Sequence, residues 1–254
     1  MNPLFSKASL MILESLSFTK TLYAFDFDGT LSKIVRTPNE ATLARTTEVL
    51  LKRLSEFAPV AILSGRSIAD LKTRLGFQPK YLIGNHGLEG LGKNNGSLND
   101  AQSACELWKK KLKAADFGVG TEIEDKTYSL AIHYRRSRNK KFAKEQIRSA
   151  LSSLHPQPRV VTGKSVVNLL PIGAPHKGVA VLELMKKAGM KHSFFIGDDD
   201  TDEDVFELPE ARIVTARVGY KKSSHAQFYI ERQNEINQLL RLLIRFHEQG
   251  RAKR

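Results

Sequence analysis

The chain has 254 residues, enough for one large domain or two modest ones with a substantial core. Its 41% apolar and 26% charged composition is that of an ordinary soluble protein, and no apolar run approaches the ~18 residues of a membrane-spanning helix. The 40 Lys and Arg against 27 Asp and Glu leave +13, which admits three accounts: steering of an anionic small substrate, nucleic-acid contact, or a basic solvated surface.

Residues 1–19 read as a short amphipathic lead-in. Glu14 interrupts the apolar Leu10–Leu13 run, and no small-residue cleavage site follows. Leu22-Tyr23-Ala24-Phe25 is an apolar, aromatic strand that ends in Asp26-Phe27-Asp28-Gly29-Thr30. Leucines at helical spacing (Leu43, Leu50, Leu51, Leu54) precede a second strand at 59–63. Ser67–Leu71 opens a helix stopped near Gly76, and Tyr81–Gly84 reads as a strand. This β-α-β alternation predicts a doubly wound parallel sheet with helices on both faces.

The pattern changes after residue 92. Gly92 to Asp100 is polar and Gly/Asn-rich, a turn or hinge, and 101–115 is helical. Glu122 to Arg135 alternates as a strand, a helix covers 139–153, and two short strands flank Gly163-Lys164. Pro171–Pro175 makes a second hinge, after which α/β alternation resumes with a helix at 177–187 and a strand at 193–197. The economical reading is an α/β core at 1–100 and 173–254, interrupted by an α+β module at 101–172. The single cysteine, Cys105, excludes an intramolecular disulfide framework and fits a reducing, cytoplasmic compartment.

Four segments sit where the core strands end. Asp26 and Asp28 place two carboxylates at a strand mouth, suited to phosphoryl transfer through an aspartyl-phosphate; a solvated Asx turn is the alternative. Ser64-Gly65-Arg66 follows a strand and makes either a phosphate cradle or a helix N-cap. Lys177 opens a helix, where a cation is unfavourable unless an anion offsets it; a solvent-pointing lysine is the alternative. Gly197-Asp198-Asp199-Asp200-Thr201-Asp202-Glu203-Asp204 is densely acidic, which suits a hard cation or a helix N-terminus. It lacks the glycine and distant Glu of an EF-hand.

Taken in order, Asp26-x-Asp28-Gly-Thr30, Ser64, Lys177 and Gly197-Asp198-Asp199 resemble the four motifs of the haloacid dehalogenase superfamily of phosphatases. More closely, Ser64-Gly65-Arg66, Gly84-x-His86-Gly87-x-Glu89, Glu124-x-Lys126, His133-Tyr134-Arg135 and Gly197-Asp-Asp-x-Thr-Asp-Glu resemble trehalose-6-phosphate phosphatases over roughly residues 20–245. The resemblance implies a Rossmann-like core carrying an inserted cap that closes over the site. It implies that Asp26 is nucleophile and Mg²⁺ ligand, that the Asp28 carbonyl joins the metal shell, and that the Asp28 side chain is general acid and base. Ser64 and Lys177 would hold the transferring phosphoryl group, Asp198 would ligate Mg²⁺, and Asp199 and Asp202 would orient that shell. Thr30 would hydrogen-bond locally and position Asp28, and Thr30, Gly65, Arg66 and His86 would line the substrate. Glu124, Lys126, Arg135, Lys164 and Asn168 would take sugar hydroxyls. At Asn168 the family usually has Glu, so one charge-assisted contact worth about 1–2 kcal/mol is lost, or a different phosphorylated sugar is bound.

The expected function is Mg²⁺-dependent release of phosphate from trehalose 6-phosphate, a phosphorylated disaccharide, by a monomeric cytoplasmic enzyme. A phosphatase for another sugar or glycosyl-glycerate phosphate is the alternative. A basic nucleic-acid-binding protein on a phosphatase fold is disfavoured, because every catalytic position is intact and no helix-turn-helix, zinc-finger or RNA-binding signature is present. No membrane partner is expected.

Overall fold

The computed structural model describes residues 1–252 apart from 36, 38, 39, 93, 94 and 164. It divides into two compact units, one formed by Met1–Gly90 with His176–Arg254 and the other by Leu91–Pro175. The first unit opens with β1 (Asn2–Pro3), α1 (Lys7–Leu16), β2 (Thr21–Asp26), α2 (Arg45–Ser55), β3 (Val60–Leu63), α3 (Ile68–Arg74) and β4 (Tyr81–Ile83). The second unit holds α4 (Asn95–Leu112), β5 (Glu122–Asp125), β6 (Leu130–His133), α5 (Lys140–Ser152), β7 (Pro158–Gly163) and β8 (Val166–Pro171). The chain then completes the first unit with α6 (Lys177–Ala188), β9 (His192–Gly197), α7 (Glu203–Phe206), β10 (Ile213–Val218), β11 (Phe228–Ile230) and α8 (Ile236–Ala252).

The first unit is a seven-stranded parallel sheet in the order β1-β11-β10-β9-β2-β3-β4. Every residue of β2 is buried, as an apolar run covered on both faces requires. Tyr23 and Phe25 share one core with Leu13 and Leu16 of α1, Leu51 and Leu54 of α2, and Leu239, Leu240 and Leu243 of α8. On α6, which contacts β9, Ala180, Val181 and Leu184 are buried. From β2 the sequence moves through β3 to β4, and later returns to β9 on the other side of β2. The carboxyl ends of β2 and β9 therefore flank the crevice where open α/β sheets bind ligands. The amphipathic lead-in is integral to this sheet: β1 pairs with β11, and Leu4, Leu13 and Leu16 are buried.

The second unit is an antiparallel sheet, β5-β6-β8-β7, with α4 and α5 supplying its core. Trp108 is fully buried there, and its indole N–H donates to the Pro156 carbonyl at 2.6 Å. Two expectations are corrected. Residues 122–135 form a hairpin of β5 and β6 rather than one strand. Asp125 accepts the Thr127 N–H at 2.9 Å, and Thr127 takes a positive φ of 70°, an Asx turn that reverses the chain. Asn95–Asp100, expected as part of a polar turn, is the start of α4, where the first N–H groups have no intrahelical partner and polar residues are common. The compact units divide at Gly90 and Pro175, so the expected module at 101–172 lies wholly inside the second.

One buried polar pair ties α8 to the sheet: His247 Nε2 and the Tyr23 hydroxyl lie 3.0 Å apart, and the imidazole stacks on Phe57. Burial, helped by the Arg251 charge, holds the His247 imidazole below its ordinary pKa. As pH falls below about 6.5, the unfolded chain takes up a proton that the folded chain resists, so stability falls with pH. Thermal unfolding of wild type and His247→Gln should show a wild-type advantage at pH 7.5 that narrows by pH 5.5. A constant difference would show that this imidazole is not the titrating group.

Candidate active site

Asp26 ends β2 and is 5% exposed. The chain turns immediately: the Ser32 N–H donates to the Phe27 carbonyl and the Gly29 N–H to the Ser32 carbonyl, both at 2.8 Å. Gly29 is required twice over. Its φ is +89°, and a Cβ there would stand 2.4 Å from the Asp198 carboxylate carbon. The absent side chain is what lets Asp198, just beyond β9, reach the end of β2.

Lys177 is the first residue of α6, where the helix disfavours a cation. Its side chain is nevertheless buried, and Nζ donates to Asp26 Oδ1 and Asp202 Oδ1 at 2.7 Å each. These carboxylates are the offsetting anions, and the alternative of a solvent-pointing lysine does not hold. The other Asp202 oxygen accepts the backbone N–H groups of Asp198 and Asp199 at 2.9 Å each. Asp26, Asp198 and Asp202 are all buried, with one oxygen of each within 4.8 Å of the others. The Asp199 and Asp28 carboxylates stand outside that group.

Three carboxylates against one ammonium leave an excess of two negative charges in this buried space. Burial pushes the Asp26 carboxyl up; Lys177 opposes this, and Asp202 and Asp198 add to it. Burial also works against the Lys177 charge, but Asp202 and Asp26 outweigh it and hold the ammonium in its charged form. Asp26 Oδ2 is buried and has no hydrogen-bond partner among the described residues. Hard, anionic oxygens with an uncancelled charge of two fit Mg²⁺.

Ser64 follows β3, is 1% exposed, and accepts the Arg66 N–H on Oγ at 3.2 Å. It is not the helix cap. That role falls to Ser67, whose Oγ accepts the Asp70 N–H. Arg66, expected at the substrate, is 6% exposed and committed to carboxylates. Nε and Nη2 grip both oxygens of Asp28 at 2.7 Å, and Nη1 reaches Asp70 at 2.8 Å. Arg74 also holds Asp70, donating to both of its oxygens. The local hydrogen bond expected of Thr30 is not formed: Oγ1 is buried without a partner among the described residues, and only its carbonyl is used, by Gln233.

Gly84 and Glu89 close a tight loop through mutual backbone hydrogen bonds. Inside it Asn85 and His86 take positive φ values of 49° and 59°, strain of the kind held at functional sites. The His86 ring occupies the space a Gly65 Cβ would need, which places it beside Ser64 and Arg66. Glu89 Oε2 accepts from Ile68 N and Asn85 Nδ2 and so fixes the loop to α3.

In the second unit, Glu124, Ala131 and Asn168 are paired across β5, β6 and β8, with the small Ala131 between them. Lys126 Nζ lies 3.5 Å from Asn168 Oδ1 and 3.8 Å from Glu124 Oε2, and His133 Nε2 is 2.8 Å from the same Glu124 oxygen. Arg135 lies exposed beyond β6. Lys164 lies outside the described residues. The expected positions thus gather as Asp26, Lys177, Asp198 and Asp202; as Ser64, Gly65, His86 and Arg66 with Asp28; and, in the other unit, as Glu124, Lys126 and Asn168. Asp70 and Arg217 support these groups and were not expected, while Glu89, part of the Gly84–Glu89 motif, had been given no role of its own. For Arg217 the signal was an arginine inside a strand whose other residues are apolar except Thr215.

A family model described as trehalose-phosphatase matches residues 24–231. The chain is 27% identical over 252 residues to "Probable trehalose-phosphate phosphatase H" of Arabidopsis thaliana, covering 88% of this chain and 71% of that protein. It is 33% identical over 195 residues to "Trehalose-phosphate phosphatase" of Mycobacterium avium, covering 72% of this chain and 50% of that one. It therefore spans about half the length of the mycobacterial relatives it matches. The solved C-terminal domain of a C. albicans trehalose-6-phosphate phosphatase superposes with a TM-score of 0.76 at 22% identity, covering 96% of this chain and 98% of that chain, a likeness of fold.

The charge account predicts opposite effects of two substitutions on the metal-free protein in EDTA. Lys177→Met leaves buried carboxylates uncompensated and should cost about 3–5 kcal/mol in denaturant unfolding. Asp26→Asn should unfold above wild type at pH 7, because the folded state resists ionising Asp26. The gain should vanish as pH falls through the ordinary carboxylate range, where both states are protonated. Destabilisation by Asp26→Asn at pH 7 would refute the account.

Proposed function

The chain belongs to the trehalose-phosphatase family, and on that premise we propose that it hydrolyses trehalose 6-phosphate to trehalose and phosphate through an aspartyl-phosphate on Asp26, with Mg²⁺ as cofactor. The observation that carries this reading is the buried Lys177 bridge between Asp26 and Asp202, which leaves one Asp26 oxygen without a partner among the described residues. A carboxylate held on one oxygen by an ammonium presents its reactive oxygen in a fixed direction.

In the first half-reaction an Asp26 oxygen bonds to phosphorus while the bond from phosphorus to the sugar oxygen breaks. The leaving oxygen takes a proton from Asp28. In the second, water attacks the same phosphorus, gives its proton to Asp28, and phosphate departs as the Asp26 ester opens. Lys177 and the Ser64 hydroxyl hold phosphoryl oxygens through both steps. Mg²⁺, held by Asp26, Asp198 and the Asp28 carbonyl, would neutralise carboxylate and phosphoryl charge. The bidentate grip of Arg66 on both Asp28 oxygens fixes the orientation of the side chain that carries the proton in both half-reactions. Arg66 thus acts on Asp28 in this reading, and His86, whose ring lies over Gly65, is the side chain proposed to meet the phosphate beside Ser64.

Glu124, Lys126 and Asn168 form the polar row suited to sugar hydroxyls, with Arg135 and Lys164 as further contacts. Asn168 is 4% exposed and offers Lys126 an amide oxygen in place of a carboxylate. The +13 charge favours approach of a phosphate dianion.

Phosphate release from a panel of sugar phosphates with Mg²⁺ tests the reading. Asp26→Asn should lower turnover of trehalose 6-phosphate by at least about three orders of magnitude. Undiminished turnover would remove Asp26 as nucleophile, and faster turnover of another phosphorylated sugar would reassign the substrate. Asn168→Glu should restore a charged contact and lower KM for trehalose 6-phosphate roughly tenfold at little change in kcat. A raised KM would show that the row is built around the amide.

A further inference from the structure

Arg217 lies in β10, whose other residues are apolar except Thr215, and it is 5% exposed. A guanidinium in such a strand is costly unless its donors are satisfied. Its partners are the acidic loop beyond β9. Nη2 donates to the Asp198 carbonyl at 2.6 Å, and Nη1 donates to the Asp199 carbonyl at 3.1 Å and to Glu203 Oε1 at 3.2 Å. The other Glu203 oxygen accepts the His225 N–H at 2.9 Å, so the brace is itself anchored. Arg217 also stands opposite Gly197 in the β9–β10 pairing, one residue before the loop begins.

The Asp198–Asp199 segment is therefore gripped on both edges. Its two N–H groups go to Asp202 Oδ2, and its two carbonyls go to Arg217. Backbone torsions at Asp198 set where its carboxylate points. With both edges fixed, that carboxylate is pressed against Gly29 and delivered to Asp26. Asp202 is in turn held by Lys177, so the inner edge follows the phosphoryl machinery, while on the outer edge Arg217 takes both carbonyls and the Asp202 N–H shares that of Asp199 at 3.2 Å.

We propose that Arg217 is a positioning residue for the cation site, setting the Asp198 carboxylate through its backbone and so tuning metal affinity. This rests on the reading of Asp26 and Asp198 as metal ligands. Outer partners of metal ligands typically change affinity by roughly 10–100-fold when removed, and that range is expected here.

Mn²⁺ binding, followed by the electron paramagnetic resonance of the free ion, measures this without turnover. The Kd of Arg217→Met should rise by about 10–100-fold over wild type, with a smaller rise for Arg217→Lys, which can reach one carbonyl. KM for the sugar phosphate at saturating Mg²⁺ should stay near wild type. Circular dichroism establishes which variants fold, and should Arg217→Met fail to do so, Arg217→Lys decides by the same measurement. A folded variant that binds Mn²⁺ as wild type does would overturn the proposal. Wild type that binds no Mn²⁺ would instead defeat the metal assignment, and this proposal with it.

Discussion

A single ammonium deep between carboxylates organises the core unit. Lys177 is delivered by the first turn of α6, Asp26 by the end of β2, and Asp202 by the loop after β9. None of these groups would be tolerated alone at such burial, since an isolated buried charge costs far more than its neighbours' packing can offset. Together they still leave an excess of negative charge, which the proposed cation would offset. The parallel sheet brings β2 and β9 side by side at the switch point, and the turn at Gly29 removes the one side chain that would keep Asp198 away.

Much of this was legible in the chain. Asp26, Lys177 and the acidic run at 198–204 are recognisable because each breaks a local rule: carboxylates closing a hydrophobic strand, a cation at a helix N-terminus, and dense like charge in a basic protein. Such conflicts between local preference and residue choice tend to mark functional positions. Four strands of the core, β2, β3, β4 and β9, were equally plain, because buried parallel strands are near-continuous apolar runs, whereas β1, β10 and β11 went unread.

What escaped the sequence acts through the backbone or through a partner distant in the chain. The Asp28–Arg66 clamp joins two positions that each suggested substrate chemistry, and nothing in their spacing says that they face one another. Arg217 holds carbonyls, which carry no side-chain signature. The hairpin within 122–135 was hidden because alternation continues across the turn at Asp125–Thr127, and side-chain period alone does not reveal a reversal. Thr30 shows the opposite failure: its motif suggested a local hydrogen bond, and the folded turn leaves its hydroxyl without a partner among the described residues.

The chain leaves the core after Gly90 and re-enters at His176, and Gly87 lies directly against the His176 backbone, where a Cβ would come within 2.6 Å. Departure and return are thus stitched together inside the core itself. An excursion whose ends already meet adds little loop-closure entropy to the host, whatever its length. The catalytic frame can then exchange the module between those points, lengthen it or rebuild its polar row without re-registering a single core strand. In such a chain, the core and the inserted module can diverge at separate rates.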